Sequence, residues 1–121
     1  PLFVPLVEEN RVSGSITEAI AADYLKVMKK KRIDTLILGC THYPLLKNVI
    51  AKVLGPKVNI LDSSVSVSKT VSEFLKEKRL LNHADRSGDE NFFGTDDPDA
   101  FKLVSRFFLK KEINVARVDL S

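Results

Sequence analysis

The sequence predicts an α/β fold, with a mainly parallel sheet flanked by helices. Short apolar runs of strand length alternate with amphipathic helical stretches along the whole chain, the pattern of strands joined by helical crossovers. The best of these runs, Asp34 to Gly39, lacks the polar alternation of a half-solvated strand, as expected within a parallel sheet. Ligands in such sheets bind beyond the carboxyl ends of the strands, and the polar segments Cys40 to Tyr43 and Asp62 to Ser64 both fall at such ends.

Leu2 to Val7 is apolar and partly β-branched, and reads as a buried strand or an extended loop leading to Glu8 and Glu9. Arg11 to Gly14 is a polar turn. Ser15 with Glu18 three residues on forms a capping box and opens a helix to about Lys31. Its apolar face is Ile16, Ile20, Tyr24 and Val27, with Ala21, Leu25 and Met28 beside it. Asp34 to Gly39 reads as a central strand buried on both faces. Pro44 suits the first position of the next helix, where a missing N–H costs nothing. Leu45, Leu46, Val49, Ile50, Val53 and Leu54 line that helix, and Gly55-Pro56 stops it.

Val58 to Leu61 is a second strand, ending at Asp62, which reads as a turn or cap residue outside any site. A third helix follows with Val67, Val71, Phe74 and Leu75 on one face. The polar stretch 82–91 reads as a mobile loop. Phe92-Phe93 starts a strand. Asp97 caps a helix with Pro98 at its first position and Phe101, Val104 and Phe108 packing inward. Val115 to Leu120 is the last strand.

The composition is that of a soluble globular domain: of 121 residues, 44% are hydrophobic and 29% charged. A single cysteine excludes an internal disulfide framework and suits the reducing cytoplasm. The apolar runs are too short to span a bilayer as a helix, and no charged leader signals secretion. The chain enters an apolar stretch directly after Pro1, which leaves room for a longer protein. Net charge is only +3, and the one tight basic run, Lys29, Lys30 and Lys31, falls at a predicted helix end, where the dipole favours it. Neither nucleic acid nor membrane is an expected partner.

Chemistry concentrates in Leu36 to Pro44, where a thiol stands at a strand end just ahead of a helix start. Thiolates are favoured at helix N-termini, and the N–H groups there hold carboxylates. If the chain stays extended for two more residues, Cys40 and His42 project to the same side, putting an acid–base group beside a thiol. From the residues alone, Cys40 is equally well a small buried hydrophobe and His42 a structural histidine.

The run Gly39-Cys40-Thr41-His42-Tyr43-Pro44-Leu45-Leu46 resembles the second signature motif of the aspartate/glutamate racemase superfamily, and Tyr before Pro is similar to glutamate racemases in particular. Residues 1 to 9 are similar to the stretch that precedes the family's second cysteine. Leu61-Asp62-Ser63 resembles a strand-end motif, and Phe92 to Asp97 with Phe101 looks like the family's C-terminal strand and helix. The family's first-half motifs, Asp-Ser-Gly and a cysteine in Ala-Cys-Asn-Thr, are absent.

The resemblance implies the C-terminal part of a two-lobed protein: residues 1–62 the later part of the second lobe, and 63–121 a segment that packs with the first. It implies a cytoplasmic enzyme, free of cofactor and metal, that interconverts L- and D-glutamate for peptidoglycan. Two cysteines would flank the substrate, each a general base in one direction and a general acid in the other. Cys40 is then one of the pair, assisted by His42. Thr41 and His42 contact substrate, and Glu8 is the acidic helper, with Glu9 the alternative. Implied partners are glutamate, the missing N-terminal half and further copies of the chain, as a homo-oligomer. Aspartate as substrate, a single-thiol decarboxylase or acyl-transfer relative, and a non-catalytic half-domain stay open.

Overall fold

The computed structural model describes residues 2–83 and 88–120. They form α1 (Phe3–Glu8), α2 (Ser15–Lys30), β1 (Thr35–Leu38), a 3₁₀ turn (Tyr43–Leu46), α3 (Lys47–Leu54), β2 (Asn59–Asp62), α4 (Ser63–Glu77), β3 (Phe92–Gly94), α5 (Pro98–Leu109) and β4 (Val115–Arg117). The chain divides into two compact units, residues 1–81 and 82–121. By this division α4 falls in the first unit.

In the first unit β1 and β2 pair in parallel, from Thr35 opposite Asn59 to Leu38 opposite Asp62, and α3 makes the crossover. Phe3, Leu6, Val7, Ala21, Leu25, Leu38, Leu46, Val49 and Ile50 form its core. The expected α/β class and parallel pairing hold.

Several local expectations do not. Leu2 to Val7 is not extended but belongs to α1, because Phe3, Leu6 and Val7 sit at i, i+3 and i+4 and bury one helical face. Pro5 is tolerated within the first turn, where no intrahelical acceptor awaits its N–H. The helix closes in a Schellman arrangement: Asn10, at φ 54°, donates to the Val7 carbonyl at 2.9 Å, and Arg11 to that of Leu6 at 2.7 Å.

The capping box does not form either. Ser15 is already helical and Gly14 is the cap, while Glu18 pairs with Lys52 at 2.6 Å. The α2 face also rotates from the expected one: Thr17, Ala21 and Leu25 are buried, whereas Ile16 and Val27 are exposed. Thr17 tolerates this because its hydroxyl donates to the Arg11 carbonyl at 2.8 Å.

Strand β1 is covered on one face only. Leu38 is buried, but Ile37 is 66% exposed beside its register partner Leu61. On α4 the expected face, Val67, Val71 and Phe74, is exposed, and no α4 residue is buried. Asp62 caps this helix, accepting from the Ser64 N–H at 2.9 Å and its hydroxyl at 2.7 Å. The Ser64 hydroxyl, then its N–H, hold the Asp62 carboxyl below its usual value.

In the second unit β3 and β4 pair in parallel around α5. Asp97 caps α5 with Pro98 at its start, as expected. Phe101 and Phe108 are exposed rather than inward, because two three-residue strands offer too little sheet to cover a helix of 12 residues. The last strand is correspondingly shorter than expected. Residues 84–87 of the expected 82–91 loop lie outside the described residues.

Urea unfolding tests this division of burial. Ile50→Ala, at a core position, should cost about 2–5 kcal/mol. Val67→Ala, on the exposed α4 face, should stay within about 0.5 kcal/mol of the parent. Equal losses at both positions would contradict it.

Candidate active site

β1 ends at Leu38, and Gly39 to His42 lead from its carboxyl end into the 3₁₀ turn. The chain does not stay extended past Cys40. Tyr43 N–H donates to the Cys40 carbonyl at 3.2 Å and Leu45 N–H to that of His42 at 3.2 Å, with His42 itself at φ −79°, ψ −31°. This turn, rather than strand alternation, brings the pair together: His42 Nδ1 lies 3.9 Å from Cys40 Sγ. Thr41 Oγ1 lies 3.3 Å from the same nitrogen.

The other ring nitrogen faces α1. His42 Nε2 stands 3.3 Å from Glu8 Oε1, on the last residue of that helix. Glu9 is the exposed cap residue that follows. So Cys40, Thr41, His42 and Glu8 converge, and Glu8 touches the imidazole rather than the thiol. The sequence reading passes over the residues that hold α1 in place. Phe3 meets the Tyr43 ring edge-on at 5.5 Å and the Tyr24 ring at 5.2 Å. Their signal was present, in the helical spacing of Phe3, Leu6 and Val7.

The helix dipole expected at the thiol does not reach it. The 3₁₀ turn separates Cys40 from α3, which begins only at Lys47, and a dipole effect fades within one turn. The group that stands beside the thiol is the imidazole, 3.9 Å away. A carboxylate can only accept, so Glu8 favours the ring hydrogen on Nε2 and leaves Nδ1 of the neutral ring as an acceptor. Nδ1 can then take the Cys40 proton and return it. Glu8 is half-exposed, so this contact orients the ring more than it stabilises the fold. Asp62, engaged by Ser64, is a cap and stays outside the site. Among the described residues, no three or more His, Cys, Asp or Glu side chains come together as a metal site.

A half-buried thiol beside an imidazole at the carboxyl end of a parallel strand, on an α/β frame, has the chemistry for proton transfer or nucleophilic attack. No family model matches the chain. Individual proteins do. Glutamate racemase of Persephonella marina is 44% identical over 122 residues, covering 100% of this chain and 44% of the relative. That of Chlorobaculum parvum is 39% identical over 113 residues, covering 93% and 42%.

Solved structures agree. Glutamate racemase of Francisella tularensis, in complex with D-glutamate, superposes with a TM-score of 0.86 at 40% identity, covering 98% of this chain and 44% of that one. The Thermus thermophilus enzyme, in complex with β-chloro-D-alanine, gives 0.88 at 39% identity, covering 99% and 46%. The fold is thus part of an aspartate/glutamate racemase-like fold. The chain resembles glutamate racemases along its whole length and spans about half the length of the relatives it matches.

Because Cys40 is the sole cysteine, alkylation reports on this site alone. Iodoacetamide should modify the native chain faster than a His42→Phe variant, by roughly three- to tenfold, since one modest hydrogen bond to the thiol is removed. Equal rates would show that the imidazole does not act on the thiol.

Proposed function

We propose that the chain is the C-terminal part of a glutamate racemase and carries one of its two proton-transferring thiols. A thiol and an oriented imidazole 3.9 Å apart, in a chain similar throughout to glutamate racemases, support this reading. Residues 1–62 belong to the second lobe of the whole enzyme, and 63–121 return to pack with the first. The other thiol lies in the N-terminal half, and the assembled enzyme is a cytoplasmic homo-oligomer supplying D-glutamate to peptidoglycan.

Inverting an α-carbon requires proton removal from one face and delivery to the other. Cys40 serves one face. As thiolate it takes the α-proton, forming S–H as the C–H bond breaks; in reverse, the thiol returns it. His42 Nδ1 accepts the thiol proton to restore the thiolate, and Glu8 fixes the ring through Nε2. Thr41 and His42 contact the substrate. The reaction uses no cofactor or metal, so the carbanionic charge rests on preorganised hydrogen bonds within a water-excluding cleft.

One thiol serves one face only, so the 121-residue chain should not racemise either glutamate enantiomer by itself. Adding the complementary N-terminal half should restore racemisation, followed by circular dichroism, with Cys40→Ala as the control for contaminating enzyme. Robust Cys40-dependent racemisation by the chain alone would overturn the two-thiol mechanism.

A further inference from the structure

We infer that Thr41 governs Cys40 by competing with it for one atom, Nδ1 of His42. The hydroxyl oxygen lies 3.3 Å from that nitrogen and the thiol sulfur 3.9 Å from it. An imidazole nitrogen offers a single lone pair when unprotonated and a single N–H when protonated. Glu8, at 3.3 Å from Nε2, favours the ring hydrogen on that side. Nδ1 of the neutral ring then accepts from the hydroxyl or from the thiol, and does not serve both at full strength. Protonation preserves the competition, because Nδ1–H donates either to the Thr41 oxygen or to the Cys40 thiolate.

The shorter approach belongs to Thr41, so the hydroxyl takes the larger share of the nitrogen and the thiol the smaller. The two competitors are not equivalent. Thr41 is exposed and its hydroxyl can turn to water or to a ligand, whereas Cys40 is half-buried. Withdrawing the hydroxyl hands Nδ1 to the thiol. The thiol proton then has an acceptor: as the S–H bond breaks an N–H bond forms at Nδ1, while the Nε2–H stays on Glu8. Thr41 is in this respect a positioning residue that acts through His42. Resting on the racemase reading, this couples the thiol to its substrate: a substrate group that engages the Thr41 hydroxyl releases Nδ1, and the proton route opens only with substrate in place.

Thr41→Val keeps the branched shape and deletes the hydroxyl. The measurement is the rate of iodoacetamide alkylation at Cys40 in the 121-residue chain, at neutral pH and without glutamate. Thr41→Val and Thr41→Ala should both accelerate it by roughly three- to tenfold, the scale of one modest hydrogen bond. Thr41→Ser should restore the parent rate, and in a His42→Phe background Thr41→Val should change nothing. An unchanged or slower rate in both hydroxyl-free variants overturns the inference. So does acceleration that persists without the imidazole, or that Thr41→Ser fails to reverse. The assay uses no substrate, so its failure leaves the racemisation test of the proposed function untouched.

Discussion

The site depends on the packing of one short helix. α1 is held by Val7, which is fully buried, by Leu6, and by Phe3 between the rings of Tyr24 and Tyr43. Full burial of such side chains is worth about 1.5–3 kcal/mol each. The Glu8–His42 contact that this packing creates is half-exposed, and exposed ion pairs contribute about 0–1 kcal/mol. Magnitude therefore fixes the direction of cause. Apolar packing brings the carboxylate to the imidazole, and the carboxylate then selects which ring nitrogen faces the thiol.

The same ordering explains why a side chain, and not a helix N-terminus, stands beside the thiol. β1 supplies a fixed end point, buried at Leu38, and Tyr43 closes a tight turn back onto the Cys40 carbonyl. Pro44 and the 3₁₀ turn then displace α3 from the thiol. Within this turn Thr41 and His42 fall close to Cys40, with the Thr41 hydroxyl 3.3 Å and the Cys40 thiol 3.9 Å from His42 Nδ1.

Much of this was legible in sequence wherever local rules and tertiary packing agree. The strand at Asp34 to Gly39, the Gly55 stop, and the caps Asp62 and Asp97 follow from short-range chemistry. Elsewhere tertiary contacts override local preference. The Phe3-Val4-Pro5-Leu6-Val7 run has a strand-like composition, but three of its side chains reach the core only from a helix. Ser15 and Glu18 match a capping box, yet Glu18 finds a better partner in Lys52, which no local window contains. Helix faces were misjudged for a different reason. Periodicity marks which residues are apolar, but coverage depends on what packs there, so Ile37, Val67, Phe74 and Phe101 are apolar and still exposed. Within the site, the Cys40–His42 juxtaposition was expected from an extended chain and is delivered by a turn.

Glu8, delivered by α1, stands at Nε2 of His42 and favours the tautomer whose Nδ1 faces Cys40 as an acceptor. Nitrogen-15 NMR of the His42 ring tests this most directly. The neutral ring should be dominated by the Nε2–H form, with Nδ1 unprotonated, and should shift toward mixed tautomers in Glu8→Ala. A ring already averaging between tautomers in the parent, or one that Glu8→Ala leaves unchanged, would contradict it.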